Sequence, residues 1–180
     1  MNRLLLFLAL AGVLTAQETR REIVNRTANP ADDAKQNSEK VPEVYAIGHR
    51  FDRLVTLRCK YDADLLKSIE QIVRQEKIRH AVILSGAGSV RGYHVHQVSN
   101  GTFPSRNVFI KNPDAPADLL SVNGYVINGK VHAHVTLANP DKALGGHLEP
   151  ETKVFTFAVV TLGVLNDEAD LSRVDDKTYR

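Results

Sequence analysis

The second half of the chain alternates short runs of β-branched and leucine residues with clusters of turn-forming residues. Such runs, bounded by Gly, Pro, Asn and Asp, are typical of β-strands. Asn128-Gly129 is a strong hairpin signal, since both residues tolerate positive φ. Turns this short join only antiparallel strands, so the chain is constrained to a mainly antiparallel sheet. The predicted strands cover residues 80–84, 90–98, 107–111, 119–127, 130–138 and 153–165.

One helix is predicted ahead of most of these strands, between Asp64 and Lys77. Asp62 or Asp64 is placed to cap it. Its apolar residues recur at spacings of three and four and form one face. They are Leu65, Ile69, Ile72 and Val73. With a further strand at 53–58, the pattern predicts an α+β domain over residues 44–166, with one principal helix and six or seven strands.

The first sixteen residues have the pattern of a secretory signal peptide. A basic residue, Arg3, precedes an apolar run from Leu4 to Leu14, and small residues follow at Thr15-Ala16. The run is shorter than the roughly twenty residues that span a bilayer, so no stable membrane span is expected after cleavage. The protein is therefore predicted to be exported, to the periplasm or out of the cell; an uncleaved anchor is the alternative.

Polar, charged segments flank the predicted domain. Residues 17–43 contain too few apolar side chains to form a core and are predicted to be a mobile linker. Residues 167–180 form a charged tail. The single cysteine, Cys59, cannot form a disulfide within its own chain and is interpreted as a buried structural thiol. The fold must therefore be stabilised by its core.

The charge balance disfavours nucleic acid as a partner. The chain has 23 Lys and Arg against 21 Asp and Glu, a net charge of +2, and no dense basic cluster. The sequence Gly86-Ala87-Gly88 superficially resembles a dinucleotide loop. The residues after it predict a strand instead of the helix N-terminus that phosphate binding needs, so a tight structural turn is predicted there.

The seven histidines are the candidates for function. Residues two apart on a strand point to the same face, so His132 and His134 share one face of the strand at 130–138. The apolar residues of that strand share the other face. Two imidazoles side by side can bind one metal ion, and His147, on a flexible turn after Gly145-Gly146, could complete a set of three. Such a set with an open position is typical of catalytic zinc sites, but the same spacing also arises by chance on an exposed strand.

The remaining histidines have weaker patterns. His94 and His96 repeat the spacing, and they could line the same pocket, bind a second ion or lie on a solvated face. His49 and His80 have no local partner and are interpreted as surface or structural residues. The carboxylates nearest His147 in sequence could act as general acid or base, but they are also ordinary loop residues. They are Glu149 and Glu151.

The order of these predicted elements and motifs along the chain resembles that of the PPC (plants and prokaryotes conserved) domain. The resemblance covers Val44–Leu165. Besides the helix, it is carried by the turn Leu84–Val90, by the strand Gly129–Ala138 with its His-x-His, and by Leu144–Leu148 with its Gly-Gly-His.

The resemblance implies an α+β fold assembled as a homotrimer. In bacterial and archaeal members, the residues that match His132, His134 and His147 are taken to bind a divalent metal, usually zinc. Plant members carry the domain beside AT-hooks, and bacterial members are labelled DNA-binding by that association. This sequence has no Arg-Gly-Arg-Pro AT-hook, and its start predicts export, so the resemblance points to the bacterial exported type.

The sequence therefore predicts an exported homotrimer whose three-histidine site binds a divalent metal, zinc, and a small-molecule ligand, or catalyses a metal-assisted reaction. No nucleophile or unambiguous base accompanies the histidines, so catalytic residues and substrate are not identified. The alternatives are a non-enzymatic binding or assembly module and, as the family label suggests, a DNA-binding protein.

Overall fold

The structure is a computed structural model and describes residues 20–24, 38–166, 168–171 and 174. These described residues contain one helix, α1, at Leu65–Gln75. The strands are β1 Arg20–Val24, β2 Phe51–Cys59, β3 Ala81–Val98, β4 Asn107–Asn112, β5 Ala117–Ile127, β6 Lys130–Ala138, β7 Ala143–Leu148 and β8 Lys153–Leu165.

All the strand pairings of the described residues are antiparallel, and β3 is at their centre. The first part of β3 pairs with β5 and β8, and its last part pairs with β4 and β7. Because β5 pairs with β6 and β6 with β7, the strands β3, β5, β6 and β7 form a closed ring of pairings. Strand β2 pairs with β8 and β1 with β4. The predicted α+β class with a mainly antiparallel sheet is confirmed.

The helix begins at the capping residue that the sequence indicated. Asp64 accepts a hydrogen bond from the Lys67 amide at 3.1 Å, and its second oxygen accepts one from the Glu151 amide at 2.8 Å. The predicted apolar face is buried against β2, β6 and β8. Its fully buried members are Leu65, Ile69 and Val73. They join one continuous core with the inward-facing residues of the sheet.

The hairpin turn at Asn128-Gly129 is confirmed, with φ of 50° and 74° at its two residues. The turn predicted at Gly86-Ala87-Gly88 is wrong, because these residues continue β3. Gly86 is packed so closely against Val122 that a Cβ would overlap it, and Gly88 has a φ of 151°. The glycines allow a long strand to bend past its neighbours without a break.

Two further segments differ from the expectation of solvated flanks. Strand β1 lies within residues 17–43, predicted to be a mobile linker, because the edge of β4 offers a ladder of unpaired backbone groups. Within the predicted tail 167–180, Ala169 and Leu171 are buried against Leu165. The predicted signal peptide, residues 1–16, lies outside the described residues. In the part of the chain that the structure describes, no helix is long and apolar enough to cross a membrane.

Candidate metal centre

The two faces of β6 have the alternation that the sequence predicted. Ala133, Val135 and Leu137 are buried in the core. His132 and His134 are exposed on the opposite face. The apolar face fixes the register of the strand, because a slip by one residue would exchange the two faces. The packing of the core therefore keeps both imidazoles on the outer face.

The structure brings His132, His134 and His147 together. Their candidate ligand atoms all lie within 4.8 Å of one another. The Nε2 atoms of His132 and His134 are 3.3 Å apart. The ring of His147 stands edge-on to both, at 90° to His132 and 86° to His134. Three ring nitrogens thus converge from two neighbouring strands.

His147 lies on β7, and the prediction that it occupies a flexible turn is wrong. β7 runs between β6 and β3, where His147 is directly opposite His134 on one side and His96 on the other. A Cβ on Gly145 would overlap the main-chain oxygen of Val135, and one on Gly146 would overlap that of His96. The two glycines therefore allow β7 to lie between its neighbours, and this places His147 in the cluster.

Burial and mutual proximity favour the neutral form of His134 and His147. Burial lowers the pKa of His147 to about 4, with further lowering from His96, His132 and His134. The pKa of His134 is also lowered, first by burial and then by His132 and His96. A neutral imidazole is the form that binds metal, so protons compete weakly for these two nitrogens near neutral pH.

The arrangement fits one divalent metal ion. Two nitrogens bound at about 2.0–2.1 Å to one tetrahedral ion lie about 3.4 Å apart, close to the 3.3 Å between the Nε2 atoms of His132 and His134. An all-imidazole donor set suits zinc, copper, nickel and iron in preference to magnesium or calcium. The three histidines line an open cavity of about 560 Å³, so three protein ligands would leave a position for a further group.

The second pair, His94 and His96, has different partners. His94 lies beside Pro150, with its Nδ1 atom 3.0 Å from the carbonyl oxygen. His96 lines the cavity, and its Nδ1 atom is 2.6 Å from Oε1 of Glu149. The ring of His96 stacks on His147 with centroids 4.5 Å apart. The spacing of the pair suggested this pocket as one of several places, but it gave no sign of the contact with Glu149.

Comparison with known proteins identifies the family. The sequence matches the Plants and Prokaryotes Conserved (PCC) domain, also abbreviated PPC, over residues 48–166. The chain belongs to this family. No curated protein matches it in sequence.

Solved structures of similar fold include proteins from two archaea. A metal-containing protein from Archaeoglobus fulgidus is 26% identical, with a TM-score of 0.60, over 76% of this chain and 96% of that one. A plant- and prokaryote-conserved (PPC) protein from Pyrococcus horikoshii is also 26% identical, with a TM-score of 0.54, over 72% and 87%. A proposed DNA-binding protein from Bacteroides thetaiotaomicron has a TM-score of 0.56 over 73% and 92%, but at 14% identity it shows the shared fold alone.

Within this PCC domain, the two carboxylates that follow His147 have different surroundings. Glu149 is half-buried beside His96. Glu151 is exposed and is 2.5 Å from Nζ of Lys111, whose hydrogen bond and charge lower the pKa of the carboxyl group. Only Glu149 is close to the histidine cluster, and the interpretation of Glu151 as an ordinary loop carboxylate fits its position.

The other candidates are structural residues of the PCC domain. His49 is exposed, with Nδ1 3.1 Å from the Ile47 carbonyl oxygen. His80 is buried and accepts a hydrogen bond from the Asn128 amide, while its Nε2 atom has no hydrogen-bond partner among the described residues. Cys59 is buried, and burial raises the pKa of its thiol, so the thiol is suited to packing and not to nucleophilic chemistry.

Proposed function

We propose that this PCC-domain protein binds one divalent metal ion, zinc, through His132, His134 and His147, and holds a small-molecule ligand at the open position of that ion. The observation that carries the proposal is the convergence of three ring nitrogens, two of them 3.3 Å apart, beside a cavity. The metal-containing relative from Archaeoglobus fulgidus supports it.

The side chains around the site suit a binding role and permit a reaction. When bound, a zinc ion would polarise an oxygen or nitrogen atom of the ligand. The three imidazoles would hold the ion, and Gln97 and Asn107 line the same cavity as polar walls. The Gln97 amide donates a hydrogen bond to the Gly145 carbonyl, so this wall is tied to the strand that carries His147.

Elemental analysis of purified protein tests the proposal. We expect about one zinc per chain in the wild type and none in the double variant His132→Ala/His134→Ala. His94→Ala is the matched control, because it removes an imidazole from the neighbouring pair and should retain the metal. Zinc that persists in the double variant at the wild-type level would contradict the proposal.

We further propose that the protein is exported and works as a homotrimer. The signal-peptide pattern of residues 1–16 supports export. Self-association is supported by large apolar side chains that are exposed on the consecutive strands β2, β8, β3 and β5. They are Phe51, Leu54, Leu84, Leu120, Tyr125, Phe155 and Phe157. N-terminal sequencing of protein recovered outside the cytoplasm should give Gln17, and light scattering should give three times the chain mass.

The same apolar surface favours a second candidate function, a binding or assembly module in which the metal is structural or absent. Light scattering after chelation separates the two. Loss of the trimer on metal removal would favour the assembly role, whereas a trimer that persists without metal would favour a ligand-binding metal. DNA binding is less well supported, because the net charge is only +2. A gel-shift titration at physiological salt should show no shift at micromolar protein.

A further inference from the structure

Two groups of side chains in this region bring possible ligand atoms within 4.8 Å of one another. One is the set already described. The other is His96, His147 and Glu149, which shares His147 with the first. The second group could be a second cation site, or it could be a support for the first. The two possibilities require different geometries, and the structure distinguishes them.

The contact between His96 and Glu149 has the geometry of a hydrogen bond. Its atoms are 2.6 Å apart, typical of a charge-assisted hydrogen bond in which Nδ1–H donates to the carboxylate. Two ligand atoms on one tetrahedral ion would be about 3.4 Å apart. Nδ1 of His96, which donates its proton to the carboxylate, has no lone pair for a metal ion, so Nε2 is the one ligand atom that this ring could offer.

The rings of His96 and His147 pack face to face. They are stacked, with 29° between their planes and centroids 4.5 Å apart. The rings of His132 and His134 are also nearly parallel, at 24°, but their centroids are further apart, at 5.3 Å, and their Nε2 atoms lie 3.3 Å from each other. His132 and His134 instead lie edge-on to His147, which lets nitrogens meet at one point. In the second group the observed contacts are therefore a hydrogen bond and a stacked ring, which suit a support for His147, and the zinc count per chain tests for a second ion.

We propose that His96 and Glu149 are positioning residues for His147. This inference rests on the proposed metal site. His96 lies opposite His147 on β3, on the side of β7 away from His134, and its ring covers one face of His147. Glu149 holds the ring of His96 through the Nδ1 hydrogen bond. The pair thus restricts the rotation of His147 and pre-organises the third ligand.

Glu149 also supplies a charge that the ligand set lacks. Three neutral imidazoles bring no negative charge to a divalent ion. The carboxylate of Glu149 is half-buried, and its ligand atom lies within 4.8 Å of that of His147. A carboxylate near the ion favours the metal-bound state, because partial burial weakens the screening by water. Partners that orient a metal-binding histidine typically change metal affinity by about 10- to 100-fold.

Zinc affinity measured by chelator competition tests the inference. Glu149→Gln removes the charge and keeps the shape of the side chain, and His96→Ala removes the stacked ring. We expect each to weaken zinc binding about 10- to 100-fold while one ion per chain still binds at saturation. Glu151→Gln and His94→Ala are matched controls in the same segments, and both should stay within about twofold of the wild type.

The absorption spectrum of the cobalt-substituted protein supplies a readout of ligand geometry. His96→Ala should alter the spectrum, because the His147 ring loses the surface that orients it. His96→Phe restores a flat ring at the same place and should restore the wild-type spectrum. Circular dichroism and thermal unfolding in chelator, compared with wild type, identify a variant that has lost its fold; His96→Phe and Glu149→Gln, which conserve shape, then carry the test.

Three outcomes would overturn the inference. Wild-type affinity and spectrum in both Glu149→Gln and His96→Ala would show that the pair does not position His147. Two zinc ions per wild-type chain, with one lost in Glu149→Gln, would show that the pair binds a second ion. Absence of zinc from the wild type would remove the proposed function together with this inference, whereas the first outcome leaves the proposed function intact.

Discussion

The two His-x-His pairs of the molecule have the same spacing and different surroundings. His132 and His134 lie on β6 with Nε2 atoms 3.3 Å apart and no carboxylate between them. His94 and His96 lie on β3, where one is bonded to the Pro150 carbonyl and the other to Glu149. The first pair converges on a point, and the second is held apart by separate partners.

The difference lies in what the neighbouring segments provide. The first pair faces β7, whose glycines pack closely against the neighbouring strands and so bring one imidazole beside the pair. The second pair faces Glu149 and Pro150, which provide hydrogen-bond acceptors. His94 and His96 are each held through Nδ1 by a different acceptor, which fixes the orientation of each ring separately. The spacing on one strand therefore specifies a shared face, and the adjacent strand determines its use.

The largest expected effect comes from Gly146, which allows β7 to lie beside the second pair. Gly146→Ala would place a Cβ against the main-chain oxygen of His96. We expect a loss of about 3 kcal/mol in the free energy of unfolding, because the backbone has to move, and His147 should leave the cluster. Gly101→Ala is the control, since a Cβ added at Gly101 would meet no atom within 4 Å. Urea unfolding measures both; a loss below about 1 kcal/mol in Gly146→Ala would contradict the packing argument.

Zinc should stabilise the fold through the first pair together with His147, and His94 of the second pair should not be needed. At free zinc one hundred times the Kd, the free energy of unfolding should rise by about 2.7 kcal/mol. Thermal unfolding with and without zinc should show this rise in the wild type and in His94→Ala, but not in His134→Ala. If both variants keep it, or both lose it, the two pairs do not differ in the way proposed.

The pH dependence of the metal-free protein should reflect the neutral state of His147. Its pKa is lowered from 6.5 to about 4, so between these values the unfolded chain binds a proton that the folded chain does not. Stability is therefore full above pH 6.5 and falls as the pH approaches 4, by about 2 kcal/mol after allowance for partial exposure. Urea unfolding between pH 7 and 4 measures the slope. The slope of the free energy of unfolding against pH should be shallower in His147→Asn and unchanged in His94→Asn.

The smallest expected effect concerns the anchoring of the second pair. The buried hydroxyl of Thr152 accepts a hydrogen bond from the His94 amide at 3.0 Å and lies 3.0 Å from the His94 carbonyl oxygen. Thr152→Val keeps the side-chain shape and leaves these groups without that partner, so we expect a loss of about 1 kcal/mol. Zinc content should not change. A fall in zinc content would show that the second pair contributes more to the site than orientation.

Much of the fold could be predicted because its signals are local. The helix face of Leu65, Ile69 and Val73, the alternation along β6 and the turn at Asn128-Gly129 each depend on a few adjacent residues. The sequence Gly86-Ala87-Gly88 was interpreted as a turn, because glycine is common both in turns and where two strands pack closely. Which applies depends on Val122, a residue of another strand.

The same distinction applies to the candidate site. Spacing indicated His132 and His134, the Gly-Gly-His sequence suggested His147 as the third ligand, and the family resemblance supported all three. The strand at Ala143–Leu148 was missed, since Gly145-Gly146 has low strand propensity and pairing with β6 and β3 overrides it. The role of Glu149 was not visible because it depends on register between β3 and β7. Contacts across strands need the arrangement of the whole sheet.

Strand β1 has a consequence for how the N-terminal region is trimmed. It covers β4, whose Val108 and Ile110 would otherwise lie on an open edge, and it replaces that edge with a strand that begins Arg20-Arg21-Glu22. Charged edge strands discourage intermolecular pairing. A protein shortened to begin at residue 38 would retain every residue of the histidine cluster. It would expose β4 as an edge strand with unpaired backbone groups, open to pairing with another molecule. Aggregation of that shortened form would show that β1 keeps the protein soluble by covering the edge of β4.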